Sequence, residues 1–498
     1  MLTYSFASKG ENSLYEHLYR CIKEDIENGN IEAGEKLPSK RSFAAHLGVS
    51  LITVEGAYAQ LLAEGYLRSE PRRGYYACDL QQAGLKRVNR SAASTAGKVC
   101  KNRRADLAFS ISEARDNKIF ADLTGAATPT GAFPYGSWAK SLRDALVCEP
   151  EEVLIGRVPA AGTERLRKAI AEHLRGFRGL DVDPSCIVVG AGSQVLYNFI
   201  VQLLGRDKRY GVEDPGYERL RKIYQANNVS LSEIALDSQG VHMKNVEKAK
   251  VDVLHLMPSH QYPTGIVTSI SRRYELLTWA SEQKSRYIIE DDYDCEFRLT
   301  GRPIPSLQSI DALGNVIYVN TFTKSLGPAF RIGYMVLPQQ LAQEFSEKLS
   351  FYSCTVSAID QLALARIIES GEYERHINRM RKQYRLVRDE FIGGLRSSKL
   401  GSRMSISAED AGIHFLLHLV PEGNLNALQW ERAFKKAAEK DGVAIRAVSD
   451  FFAAKNRASS NAGQDMASFV VSYDGLKNTE IVKAVKALEK AAITASKA

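Results

Sequence analysis

Leu14, Leu18, Ile22 and Ile26 recur every fourth residue in LYEHLYRCIKEDIEN, with polar residues between them, the pattern of a helix with one apolar face. GNIEAGEKL then supplies turn residues. In PSKRSFAAHLG, Pro38 precedes an N-cap at Ser39 and Gly48 stands at the far end, so a short helix is predicted. A second cap at Ser50 opens VSLITVEGAYAQLLAEGYL, predicted helical through Glu64. Two short helices about a tight Gly-containing turn make a helix-turn-helix pattern. LRSEPRRGYYAC follows as two short strands about a Pro-Arg-Arg-Gly turn, a wing. On pattern alone such a module either binds DNA or only dimerises.

From about residue 137 the pattern changes. CIVVG, YGVED, VDVLHLMP, YIIEDD and NVIYVN are short apolar runs separated by helix-like stretches such as SQVLYNFIVQLL and RRYELLTWASEQ. That alternation predicts an α/β unit built on a mostly parallel sheet with crossover helices. Ligands in such sheets sit beyond the carboxyl ends of the strands, so the residues after each run carry the candidate chemistry.

At 498 residues the chain exceeds what one core ordinarily supports, and two or three domains are expected. No run of 18 or more apolar residues occurs and MLTYSFASKG lacks a signal peptide's apolar core, so a cytoplasmic protein without a membrane partner is expected. The seven cysteines are scattered, odd in number and form no C-x-x-C, which argues against a disulfide framework or a zinc site. His414 and His418 in GIHFLLHLV could share a strand face. No carboxylate or cysteine joins them, so they are expected as core histidines, and no metal site is expected.

The net charge is +8, but its distribution matters more. Residues 1–78 hold nine basic against ten acidic residues, a balance of −1, whereas residues 81–104 hold seven basic residues and no acid. The second segment is expected to be a flexible linker, either a solvated tether or one that also touches phosphates.

The strand ends are informative. After CIVVG, Gly192, Ser193 and Gln194 could present N–H groups and a hydroxyl to an anion at a helix N-terminus. After YGVED, Tyr217 could lie against a planar ring and Arg219 reach a carboxylate, or the stretch could be a turn with a solvent-facing arginine. After YIIE, the acids Asp291, Asp292 and Asp294 form either a solvated turn or a carboxylate placed to keep a ring nitrogen protonated. No histidine follows at ligand spacing. After NVIYVN, Lys324 is suited to a Schiff base if its surroundings favour the neutral amine. Thr321, Thr323, Ser325 and Arg331 are donors for a dianionic phosphate. A lysine, a phosphate cradle and a carboxylate for a ring nitrogen together match pyridoxal 5′-phosphate.

Residue by residue, G-x-I-x-x-G-x-x-LPS-x-R-x-x-A-x-x-LGVS-x-x-TV-x-x-AY-x-x-L-x-x-EGYL resembles the GntR-type winged helix across residues 12–78. The resemblance implies a recognition helix beginning near Ser50 in a major groove of an operator, with Ser39, Arg41, Ser50, Thr53, Arg72 and Arg73 at the DNA. Leu51 and Glu55 depart from the basic residues common at those positions. Residues 106–498 resemble the fold type I, class I/II aminotransferases, on PSHQYPTG, EDDYD-x-EFR and TFTKSL-x-P-x-x-R-x-GY. That likeness makes Lys324 the Schiff-base lysine, Asp291 the pyridinium partner, Tyr293 the neighbour of the ring 3-oxygen and Tyr217 the stacking aromatic. It makes Arg331 a phosphate ligand, helped by Ser193, Gln194, Thr321 and Thr323.

Three departures stand out. Tyr262 occupies the place of the usual asparagine in Asn-Pro-x-Gly, LIGRVPAAG lacks a tyrosine, and SFVVSYDGL offers Val470 where an arginine grips the α-carboxylate. Arg446 is the candidate replacement, with Arg219 as a second effector contact. The whole chain resembles the MocR subgroup of GntR regulators, a family that includes regulators of GABA use and of pyridoxal phosphate synthesis. It implies domains at 1–78, 79–105 and 106–498 and a homodimer that senses an amino compound or the cofactor itself. The alternative is a working aminotransferase with an appended DNA-binding module.

Overall fold

In a computed structural model of the chain, residues 2–4, 6, 13–71, 73–79, 119–125, 133–299, 305–409, 412–454, 456 and 466–497 are described. Two compact units result, residues 1–113 and 114–498.

The first unit follows its apolar pattern. Helix α1 spans Leu14–Asn28, and Gly29 ends it in the left-handed region at φ 76°. Its buried face is Leu18, Ile22 and Ile26, but His17 takes the inward position expected of Leu14, which is exposed. Strand β1 (Lys36–Leu37) leads into α2 (Lys40–Leu47) and α3 (Leu51–Ala63). Both predicted caps form: Ser42 N donates to Ser39 Oγ and Thr53 N to Ser50 Oγ, each at 3.2 Å. Between them Gly48 adopts φ 67°, where a side chain would strain the backbone. The wing is β2 (Leu67–Glu70) and β3 (Gly74–Ala77), antiparallel, with β1 on the other side of β3. Phe43, Val54, Tyr58 and Leu61 close the core with Leu18 and Ile22.

The second unit is built on an eight-stranded sheet in the order β5-β12-β11-β10-β9-β6-β7-β8. Its strands are β5 (Ile187–Gly190), β6 (Arg209–Asp214), β7 (Ser230–Asp237), β8 (Gly240–Val241), β9 (Val253–Leu256), β10 (Tyr287–Asp291), β11 (Val316–Thr321) and β12 (Gly333–Val336). The β7-β6-β9-β10-β11 run is parallel, whereas β12 runs antiparallel to both β11 and β5. Central strands buried on both faces read as unbroken apolar runs. Ile187, Val189 and Tyr318 face one packing layer, and Val188, Ile317 and Val319 face another, the two-residue period of a strand. The first layer continues through the long helix Glu372–Ser397 into an antiparallel sheet ordered β13-β14-β17-β16. Those strands are β13 (Met404–Ser407), β14 (His414–Leu419), β16 (Arg446–Ala447) and β17 (Ala467–Ser472). A small parallel pair, β4 (Ala121–Asp122) with β15 (Val443–Ala444), fixes the chain before Gly125.

Candidate functional site

The carboxyl ends of the strands converge. Gly190 of β5 is the rung partner of Gly333 on β12, and Gly333 that of Thr321 on β11. Side chains are excluded here: a Cβ on Gly333 would stand 2.9 Å from Thr321 Cγ2, and one on Gly190 2.8 Å from Leu196 Cδ2. Beyond β5 the chain turns at Gly192 (φ 81°) into the helix Ser193–Leu204. A Cβ on Gly192 would lie 3.0 Å from the Arg331 guanidinium, whose Nη2 donates to Ala191 O at 3.2 Å. Arg331 is exposed and held at φ 50°, a conformation uncommon outside glycine that collects at functional sites. Free N–H groups of a helix's first turn, a guanidinium and the Thr321 and Thr323 hydroxyls share this end of the sheet. Ser325 is excluded from the expected cradle. It is buried, donates to Phe322 O at 3.1 Å and accepts from Tyr373 Oη at 2.9 Å.

Asp291 closes β10 and is buried. The Tyr197 hydroxyl donates to its Oδ2 at 2.5 Å, and His255 Nε2 lies 3.6 Å from the same oxygen. Burial and the Asp291 carboxylate hold the Tyr197 phenol well above its usual range, so it stays a donor. The other acids of the run are not a solvated turn. Asp292 takes Arg178 Nη2 at 2.6 Å and the Tyr318 hydroxyl at 2.7 Å, and Asp294 pairs with His260 Nδ1 at 2.8 Å. That pair corrects the reading of His414: its ring stacks on His260 at 4.6 Å, so a carboxylate from a distant loop does join it. Burial pushes the His414 imidazole down to about 3 and keeps it neutral. His418 is separate, bonded to Ser407 and Ser468.

Tyr293 Oη lies 3.2 Å from His260 Nδ1. Tyr262 meets Tyr217, Tyr293, His414 and Phe451 edge-on, at centroid distances of 5.1–6.2 Å. An aromatic box thus stands where the sequence lacked the asparagine amide. Burial pushes the Tyr262 phenol up to about 12.

Lys324 lies on a one-turn helix, Thr323–Leu326, directly after β11. Its Nζ is 2.9 Å from Asp474 Oδ2 and 3.3 Å from Gly125 O. The amine is therefore ion-paired with a buried carboxylate. Arg446 and Val470 are direct cross-strand partners on β16 and β17, so the candidate arginine stands on the same rung as the position that lacks one. Its guanidinium lies 4.1 Å over the Phe451 ring and 3.7 Å from Glu218 Oε2. Arg219 is exposed and not drawn into this group. Arg221 turns inward instead, donating to Phe451 O at 2.7 Å.

In the first unit Arg41 is exposed at the start of α2 and Arg73 at the wing tip, 78 % exposed in its side chain. Arg72 and the basic segment 81–104 lie outside the described residues. Ser39 and Ser50 spend their oxygens as helix caps, and Ser50 Oγ also meets Thr53 Oγ1 at 2.9 Å. Glu55, the acidic departure on α3, is paired with Lys40 at 3.4 Å. Sequence reasoning missed Asp474, Tyr197, His255, His260 and Arg221. Asp474 stands inside the very stretch inspected for an arginine.

The bacterial regulatory proteins of the gntR family match residues 14–76, and the aminotransferases of class I and II match residues 137–466. The latter fold implies dependence on pyridoxal 5′-phosphate. An HTH-type transcriptional regulator of Bacillus subtilis, YdeL, is 38 % identical over 88 % of this chain and 89 % of its own length. The probable rhizopine catabolism regulatory protein MocR of Rhizobium meliloti is 30 % identical over 88 % and 87 %. The pyridoxine biosynthesis transcriptional regulator PdxR of Corynebacterium glutamicum is 31 % identical over 78 % and 81 %. Among solved structures, a multiple substrate aminotransferase from Thermococcus profundus superposes with a TM-score of 0.64 at 23 % identity, over 76 % of this chain and 92 % of that one. No helix among the described residues is long and apolar enough to cross a membrane. A winged helix followed by an aminotransferase-like domain, matched over most of its length by such relatives, makes this chain a member of the MocR-type subgroup of GntR transcriptional regulators.

Proposed function

We propose that the second unit holds pyridoxal 5′-phosphate at Lys324, reads an amino compound or the cofactor itself, and sets the operator affinity of the winged helix in a cytoplasmic homodimer. The observation that carries this reading is that Asp291 and Lys324 follow the carboxyl ends of the neighbouring parallel strands β10 and β11, with the Gly192–Arg331 turn at the same end of the sheet beyond β5 and before β12. The residues fit the group. A glycine turn into a helix start beside a guanidinium suits a phosphate, and a buried carboxylate backed by a tyrosine donor suits a protonated ring nitrogen.

When bound, the cofactor supplies an electrophilic carbonyl carbon and an electron-withdrawing ring. The chain does the rest. Arg331, Ser193, Gln194, Thr321 and Thr323 hold the phosphate; Tyr217 covers one face of the ring; Tyr293 lies beside its oxygen, oriented by His260. Arg446, with Arg219 at the rim, takes an acidic group of the effector. A ligand shifts the regulator only by its differential affinity for two arrangements of the domain, so effector binding must favour one of them.

Borohydride reduction of the purified, cofactor-exposed protein followed by peptide mass spectrometry is expected to place a pyridoxyl mass on Lys324 and none in Lys324→Ala. An unmodified Lys324 in the wild type would overturn the proposal. Sustained turnover of amine donors with a keto acid would replace sensing by catalysis.

At the DNA, Arg41, Arg72 and Arg73 serve as phosphate and base-edge contacts, with Ser39, Ser50 and Thr53 close to the groove. Substituting Arg41 or Arg73 by alanine is expected to weaken operator binding in a gel shift and to lower the salt slope by about 1 each. The same variants keep the cofactor absorbance.

A further inference from the structure

Two residues past the end of β17, Asp474 is buried at 4 % exposure. Its Oδ2 accepts from Lys324 Nζ at 2.9 Å, while Oδ1 is buried with no hydrogen-bond partner among the described residues. A dry, unpaired carboxylate oxygen is costly and favours any donor that can reach it. As the amine that holds a cofactor, Lys324 keeps at most one N–H for Asp474 Oδ2 and none for Oδ1. The described surroundings add acceptors. Gly125 O is 3.3 Å from the same Nζ, and the Ser472 hydroxyl would lie 2.8 Å from a Cβ on Gly125. Val470, on the same strand, supplies no charge. The sign of this corner is therefore opposite to that of a site whose strand arginine grips a carboxylate.

We infer that Asp474 anchors a second ammonium group of the ligand, so that the compound sensed is a diamino acid, not a monoamino acid. The inference rests on the reading of Lys324 as the cofactor lysine. Asp474 takes the extra cation, and Arg446, across the rung from Val470, takes the carboxylate at the other end. A monoamino acid fills the second role and leaves Oδ1 unpaired.

Two matched pairs test this: L-ornithine against L-norvaline and L-lysine against L-norleucine, which differ in the presence of the second amine. Calorimetric titration of the cofactor-loaded, full-length protein is expected to show at least ten-fold tighter binding of the diamino member in one pair or both. Asp474→Asn is expected to erase that difference while retaining the pyridoxyl mass on Lys324 after reduction. Equal binding within both pairs, no binding by any of the four compounds, or an undiminished preference in Asp474→Asn overturns the inference and leaves the lysine reading intact. Loss of the Lys324 adduct in the variant alone makes Asp474 a partner of the lysine only and also overturns it. A wild type without any adduct overturns both readings.

Discussion

Tyr197 shows how one hydroxyl holds a functional carboxylate in place. Tyr197→Phe removes the 2.5 Å donor from buried Asp291 and leaves an oxygen unsatisfied. A loss of about 1–3 kcal/mol in unfolding free energy is expected from denaturant titration, with weaker cofactor retention alongside. Glu213, buried on β6, accepts from Met257 N at 3.2 Å and Gln261 Nε2 at 3.4 Å, and burial pushes its carboxyl up to about 8. The unfolded chain releases that proton near the ordinary carboxyl value, so the folded state binds more protons between the two. The contribution of Glu213 to stability is thus full below pH 4.5 and lost as pH rises through about 8. Urea midpoints should fall across that window, by up to about 1.4 kcal/mol of stability per pH unit from this group, and Glu213→Gln should flatten the decline. Residue identity was only partly legible. Lys324, Asp291 and Arg331 stand in recognisable stretches, but nothing in sequence links Asp474 to Lys324 or His260 to Asp294 and His414. Those meetings are made by the fold. Arg219 against Arg221 was a choice of helix face that spacing alone did not decide.

Helices with clean caps were the most legible elements. Ser39 and Ser50 begin α2 and α3 where expected, and SQVLYNFIVQLL is helical end to end. Ser50→Ala should cost about 1 kcal/mol through loss of the cap. Gly48→Ala should cost a similar amount through its left-handed backbone. In both variants the first unit is expected to melt earlier, with cofactor retention in the second unchanged. Strands were legible where burial on both faces made them unbroken apolar runs, as in β5, β9, β10 and β11. Strand β7, flanked on one side only by the two-residue β8, is mostly half-exposed and gives no such run. Strand β12 was hidden inside the lysine motif, because its GY served recognition as well as pairing. The two-residue strands β4, β8, β15 and β16 are too short to leave any periodicity, and Arg446 lies on one of them.

Across the whole molecule, charge and chemistry are divided between the parts. Residues 1–78 carry a balance of −1, while residues 81–104 contribute seven positive charges. Counterion release from a near-neutral winged helix is small, so on the proposed reading two copies and the basic segment would be needed for tight binding. Replacing Lys98, Lys101, Arg103 and Arg104 by glutamine is expected to lower operator affinity and the salt slope together. The preferred base sequence should stay the same in a binding-site selection, since phosphate contacts carry no base information. The pairing of Arg446 with Val470 bears on how such regulators diversify. A guanidinium that hops to the opposite rung of an antiparallel ladder moves only a few ångströms, yet it presents the ligand with a rearranged set of handles. If Arg446 grips the ligand as proposed, exchanging these two side chains would change which inducer is gripped, with the scaffold and the promoter-reading head left untouched.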